Sequence, residues 1–106
     1  MSTPPRSLST SVPWLWLLSQ LEVAVRSPVL PAIFLRCPLC GHERLTIMED
    51  YLNGGETFHC RNCNEAGDMI ELAAATWKMS IPGTIQKLNR QGFDLPTDVK
   101  AVQGYV

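Results

Sequence analysis

The sequence predicts a small α+β fold in which a β-hairpin, held together by two cysteine-bearing turns, is flanked by helices. Two observations support this. The chain has four cysteines, and they form two C-x-x-C pairs, Cys37 with Cys40 and Cys60 with Cys63. Between the pairs, the Asn53-Gly54-Gly55 segment is a strong turn signal that lets the chain fold back and bring the second pair beside the first.

The spacing of the cysteines is that of a tetrahedral metal site. A gap of two residues lets one tight turn direct two sulfurs at one point, and the second turn supplies the other two. We therefore predict a zinc ribbon with one structural Zn²⁺ bound by Cys37, Cys40, Cys60 and Cys63. Four thiolates leave no open coordination position, so the ion would stabilise the fold and not activate water. Iron–sulfur ligation and a redox-active dithiol remain alternatives.

Disulfides in a secreted protein are another possible use of four cysteines. The start of the chain has no basic residue before the apolar stretch except Arg6, and no small-residue cleavage site follows that stretch. Ser19, Gln20 and Glu22 interrupt the stretch, which is too short and too polar to span a membrane. We therefore expect a reducing, cytoplasmic compartment, where this spacing favours a metal over disulfides.

Composition limits the function further. The chain has 106 residues, with nine Lys and Arg against ten Asp and Glu, which gives a net charge of −1. This balance argues against a protein that coats nucleic acid through a strongly basic surface. The sequence shows no Ser/His/Asp set, phosphate-binding glycine loop or pair of convergent carboxylates, so we predict no catalytic centre in it.

The remaining elements follow from local patterns. Residues 1–13 are rich in Ser, Thr and Pro and are predicted to be disordered, and residues 14–35 to form an N-terminal helix, as far as about Arg26, and an extended linker. Residues 45–51 and 56–59 are the predicted hairpin strands. Gly41 and Asn64 follow the cysteine pairs and tolerate the left-handed backbone that such turns need.

Two helices are predicted after the second cysteine pair. Asp68 is suited to cap a helix that extends to about Met79, and Ser80 with Pro82 to begin another that Gly92 ends. Residues 94–106 form a weakly patterned tail. The predicted inward positions are Ile70, Ala73 or Ala74, and Trp77 in the first helix, and Ile81, Ile85 and Leu88 in the second.

The order of these motifs is itself informative. They are Cys37-Pro38-Leu39-Cys40, Phe58-His59-Cys60-Arg61-Asn62-Cys63, Gly67-Asp68-Met69-Ile70, and Ser80 with Thr84-Ile85-Gln86-Lys87-Leu88 and Gly92. Over about residues 34–93 this order resembles the N-terminal zinc-binding domain of bacterial and bacteriophage DNA primases. Cys40 stands where the common bacterial form has histidine. The resulting set of four cysteines is similar to the form found in phage primase–helicases. The resemblance implies a primase-type zinc ribbon with two following helices at 36–93.

The resemblance also implies a function. In that family the zinc domain recognises a short template sequence in single-stranded DNA and supports primer synthesis by a separate catalytic domain. The expected partners are therefore single-stranded template DNA and a primase catalytic domain or helicase, in cis or in trans, during DNA replication. The candidate DNA-binding residues are Arg44, Tyr51, His59 and Arg61, with Phe58 as a further stacking candidate.

Alternatives remain open for these residues. Acidic residues are interspersed among Arg36, Arg44, Arg61 and Tyr51, so this region could be an ordinary solvated surface. The chain would then be a zinc-ribbon adaptor that binds another protein, with its apolar N-terminal helix as the contact. A redox-sensing thiol switch is a third class. His42 and His59 adjoin the cysteine pairs, but the four cysteines already complete a tetrahedron.

Overall fold

The computed structural model describes residues 12–52, 55–93 and 95. The predicted small α+β fold is confirmed: these residues form three helices and one four-stranded antiparallel sheet with its strands in chain order. Most of the predicted disordered start and tail, and two residues of the predicted hairpin turn, lie outside the described residues. The elements are α1 (Trp14–Gln20), β1 (Ala32–Leu35), β2 (Leu45–Glu49), β3 (Glu56–Cys60), β4 (Ala66–Asp68), α2 (Met69–Trp77) and α3 (Ile81–Arg90).

The predicted hairpin is the centre of the sheet. Strands β2 and β3 pair in register from Leu45 opposite Cys60 to Glu49 opposite Glu56. The predicted extended approach to the first cysteine contains β1, which pairs with β2, while β4 was not predicted and pairs with β3. The hairpin is thus extended by one strand on each side.

The two faces of the sheet differ in what covers them. On the inner face Leu45, Ile47 and Phe58 are buried in one core together with residues of all three helices. On the outer face Met48 and His59 are exposed, because side chains alternate between the faces along each strand. The helices therefore lie on one face only, and the other face of β1–β3 is accessible.

Helix α1 is shorter than predicted. It ends at Gln20 and not near Arg26, because Glu22 adopts a left-handed backbone and the Val23 N–H donates to the Leu18 carbonyl at 2.9 Å. Val23 is nevertheless buried, so the turn directs the chain back and places this apolar residue in the core. None of the helices in the described ranges is long and apolar enough to cross a membrane.

Helix α2 begins with the predicted cap at Asp68. The Asp68 carboxylate accepts from the Glu71 N–H at 2.8 Å, and the Glu71 carboxylate accepts from the Asp68 N–H at 3.0 Å, which is a reciprocal capping box. Gly67 makes room for it, since a Cβ there would lie 2.8 Å from Glu71 Oε1. The Gly-Asp step therefore has a structural reason: it lets the Glu71 side chain reach back over the start of the helix.

Loss of this cap gives a first testable effect. We expect Asp68→Ala to lower the free energy of unfolding by about 1–2 kcal/mol, because a buried helix terminus loses its acceptor. Asp68→Asn keeps an oxygen at that position and should cost less. Urea denaturation at a fixed zinc concentration measures both. Equal stability of Asp68→Ala and the parent protein would show that the cap contributes nothing.

Helix α3 begins and packs as predicted. The Ser80 hydroxyl accepts from the Gly83 N–H at 3.1 Å, and Ile85 and Leu88 are fully buried. Trp77 at the end of α2 is half-buried, and the Lys87 ammonium lies 4.4 Å from the centre of its ring, in a cation–π contact between the helices. Trp77 therefore packs between α2 and α3, as expected for a core position.

Candidate metal centre and adjoining surface

The four cysteine sulfurs form a cluster at one end of the sheet. All four Sγ atoms lie within 4.8 Å of one another, and none is in a disulfide. The Cys37 and Cys63 sulfurs are 3.9 Å apart, and those of Cys40 and Cys60 are 3.6 Å apart. Tetrahedral coordination with zinc–sulfur bonds of about 2.3 Å requires sulfurs about 3.8 Å apart. The spacing therefore fits one four-coordinate metal ion.

The first metal-binding turn, residues 37–42, is held by backbone hydrogen bonds. The Gly41 N–H donates to the Cys37 carbonyl at 2.8 Å, and the Cys37 N–H donates to the His42 carbonyl at 2.9 Å. Gly41 has φ of 79°, as predicted, because the chain must reverse within this turn. The Leu39 N–H points at the Cys37 sulfur, 3.4 Å away, and so favours a thiolate there.

The second turn, residues 60–65, repeats the same pattern. The Asn64 N–H donates to the Cys60 carbonyl and the Cys60 N–H to the Glu65 carbonyl, both at 2.9 Å. Asn64 has φ of 60°, which confirms the second predicted left-handed residue. The two turns thus present their sulfurs from matching backbone conformations, which is what a symmetric tetrahedral site needs.

The environment of the sulfurs differs within the cluster. A hydrogen bond from the His42 backbone N–H lowers the pKa of Cys40 to about 6. Burial raises the pKa of Cys37 to about 12. A bound cation must therefore displace a proton from Cys37, and it supplies the positive charge that offsets burial of the thiolate. Acid is expected to favour release of the metal, because protons compete with it for the sulfurs.

The histidines are placed beside this centre. Among the described residues, the cluster of potential ligand atoms consists of the four sulfurs and includes neither His42 nor His59. His59 lies on the outer face of β3, and its Nε2 is 3.2 Å from Asn64 Oδ1. The second turn therefore orients the exposed imidazole of His59.

Three arginines lie side by side at the end of the sheet that carries the cysteine cluster. Leu35 of β1, Leu45 of β2 and Cys60 of β3 are paired across the sheet. At this end, the residue just outside each strand is an exposed arginine, and the Arg61 N–H donates to the Arg44 carbonyl at 3.1 Å. We call Arg36, Arg44 and Arg61 the arginine row. The sequence groups Arg36 with Arg44 and Arg61, but Arg36 was not selected as a DNA contact, although it adjoins Cys37 just as Arg61 adjoins Cys60.

The opposite end of the sheet is acidic. Glu49 and Glu56 are directly opposite each other, and burial, together with the charge of Glu49, raises the pKa of Glu56. Tyr51 lies at this end and is 87% exposed. The length of β2 separates it from Arg44 by roughly 17 Å. The structure thus gathers Arg44, Arg61 and His59 at one end and leaves Tyr51 at the other.

Phe58 does not belong to the accessible surface. It was considered for base stacking, but it is 4% exposed and lies on the inner face beneath the helices. The alternation of the strand explains the error, since His59 points outward and its neighbour must point inward. Phe58 is therefore a core residue.

Comparisons of the chain with protein-family models, with curated proteins and with solved structures find no match in any of the three. The resemblance to primase zinc-binding domains therefore depends on the order and spacing of the sequence motifs alone.

Proposed function

We propose that this chain is a zinc-binding module that recognises single-stranded template DNA and supports primer synthesis by a separate catalytic domain. The observation that carries the proposal is the arginine row, because three exposed arginines at the ends of adjacent strands match the repeated negative charge of a polynucleotide backbone. The motif order that resembles primase zinc-binding domains points to the same class of partner.

In this proposal zinc has a structural role. Four thiolates close its coordination sphere, and a structural zinc contributes roughly 10–16 kcal/mol of apparent binding free energy. Arg61 lies between the ligands Cys60 and Cys63, and Arg36 directly precedes Cys37. The metal would therefore fix the backbone of both arginines, so that less conformational freedom is lost when their guanidinium groups bind phosphate.

The distribution of charge favours phosphate contact at one end of the sheet. The net charge is −1, yet the arginine row and the acidic pair Glu49 and Glu56 lie at opposite ends of the strands. A polynucleotide would be attracted to the arginine row and repelled from the hairpin tip. Glu43 and Glu65 lie near the arginine row in sequence and weaken its field. We therefore expect modest affinity and a shallow salt dependence.

Binding of a labelled single-stranded oligonucleotide, followed by fluorescence anisotropy over a salt series, tests the proposal. Three neutralised phosphates predict a slope of about −2 in log K against log salt, at about −0.7 per phosphate. Arg36→Gln, Arg44→Gln and Arg61→Gln should each weaken binding and reduce the slope by about 0.7, with zinc content unchanged. Arg90→Gln, an exposed arginine of α3, is the matched control and should alter neither.

One result would count against DNA recognition. If the zinc-loaded protein shows no binding at low salt, a protein adaptor becomes the better explanation. The observation that favours an adaptor is the exposure of apolar residues on the outer face, with Ile33 54%, Phe34 71% and Met48 50% exposed. The N-terminal helix is less suited to that role than the sequence suggested, since Leu17 and Leu18 are buried in the core.

A further inference from the structure

Strand β1 contains a bulge that presents an aromatic ring to solvent. Ala32 is opposite Ile47 and Leu35 is opposite Leu45, so two residues of β1, Ile33 and Phe34, face the single residue Thr46 of β2. Both are exposed, and Phe34 is 71% exposed. The bulge therefore exposes a phenylalanine at a position that the sequence pattern does not indicate.

The backbone of Phe34 is strained. Its φ is 58°, in the left-handed region, where a bulky residue without a local hydrogen-bonding side chain is a genuine outlier. The ring gains little by packing in return, because most of its surface stays in water. Strain of this kind occurs preferentially at ligand sites, where it presents a side chain that binding requires. Phe34 is thus a candidate contact and not a core residue.

The register aligns Phe34 with His59. Thr46 faces the bulge residues Ile33 and Phe34 on one side and His59 on the other, so the exposed Phe34 lies level with Thr46 and His59 across the sheet. We call these three residues the platform row. Phe34 and His59 are two strands apart, or roughly 10 Å.

The platform row runs parallel to the arginine row. Thr46 and His59 are each two residues along the chain from an arginine, which places them on the same face as that arginine at a distance of roughly 7 Å, and Phe34 is likewise two residues from Arg36. A basic row and a row with two flat rings therefore lie side by side.

We propose that Phe34 and His59 stack on bases of a single-stranded nucleic acid whose phosphates contact the arginine row. The proposal rests on the proposed function and names the contacts of that site. The strand would cross β1, β2 and β3, with its backbone along the arginines and its bases over the platform row. Base–aromatic stacking tolerates any sequence, so these two contacts contribute to affinity and do not discriminate between bases. The hydrogen bond between the side chains of His59 and Asn64 would hold the imidazole in place for stacking.

Two oligonucleotides of equal length separate stacking from charge. One is labelled oligothymidine, and the other carries abasic sites, which keep the phosphates and lack the bases. Phe34→Leu should weaken binding of oligothymidine by roughly 5- to 150-fold, which is the effect of losing one stacked base. Its binding to the abasic strand and the slope of its salt dependence should be unchanged. Phe34→Trp retains a stacking surface and should bind at least as tightly as the parent. Zinc content and circular dichroism verify folding.

Leu52→Ala is the control, because Leu52 is 95% exposed but lies at the acidic tip of the hairpin. Equal effects of Phe34→Leu and Leu52→Ala on oligothymidine would overturn the stacking proposal, as would equal affinity of the parent for both strands. In either case the arginine variants still test DNA binding separately. Absence of binding to both strands at low salt would refute the proposed function and the stacking contacts together.

Discussion

Cys60→Ser is expected to abolish zinc binding and to unfold the sheet. Cys60 is fully buried, supplies one of the four sulfurs and pairs with Leu45 at the end of the central hairpin. An unfolded chain does not hold the four sulfurs together, so metal binding and folding are one equilibrium. The roughly 10–16 kcal/mol from a structural zinc exceeds or equals the whole stability of a typical small domain. Metal analysis and far-ultraviolet circular dichroism measure both losses.

Glu65→Ser is a matched control for this experiment. It lies in the same turn but contributes only backbone groups, and these survive the substitution. Its carbonyl accepts from the Cys60 N–H, and its N–H donates to the Cys63 sulfur. We expect it to retain one zinc per chain. A strong chelator should unfold the parent protein, and added zinc should restore it. A folded, metal-free Cys60→Ser protein would contradict a structural metal, and iron in place of zinc would support the iron–sulfur alternative.

Phe58→Ala is expected to lower the free energy of unfolding by about 3–5 kcal/mol, the usual cost of removing a buried aromatic ring. The ring is 4% exposed, and its strand position pairs with Ile47 on one side and Gly67 on the other. The cavity would therefore open in the middle of the inner face, beneath the helices. Urea denaturation at constant zinc concentration measures the change.

Phe34→Ala provides the comparison, because it removes the same ring from a site that is 71% exposed. We expect its effect on stability to stay within about 0.5 kcal/mol, as for most surface substitutions. Equal losses for the two variants would mean that the inner and outer faces have been assigned wrongly. The two variants also serve as a control for the binding experiments, since only Phe58→Ala should weaken DNA binding by destabilising the fold.

The metal centre and the helix starts could be predicted because their causes are local. Two residues between cysteines set the reach of each turn, and Gly41 and Asn64 allow the left-handed backbone that closes it. Asp68 and Ser80 are caps that act within one helical turn. Such features depend on residues only a few positions apart, and a single sequence is enough to recognise them.

Features that depend on pairing between distant residues were missed. Strand β4 has the sequence Ala66-Gly67-Asp68, which has no strand propensity, and it forms because it lies along the free edge of β3. The arginine row requires the register of three strands, and the bulge at Phe34 shifts that register by one residue. Apolar periodicity continued to Val25, but it does not distinguish a longer helix from a turn that returns to the same core.

The strand order β1-β2-β3-β4 has a consequence for how the protein forms. Every strand pairs with its neighbour along the chain, so the sheet is made of contacts with short sequence separation. Chains of low contact order fold quickly, and the entropy cost of closing a loop grows only slowly with its length. Topology therefore presents no slow step, and we expect the supply of the metal ion to limit the rate at which the native protein appears. The concentration of free zinc would then set how much of the protein is folded.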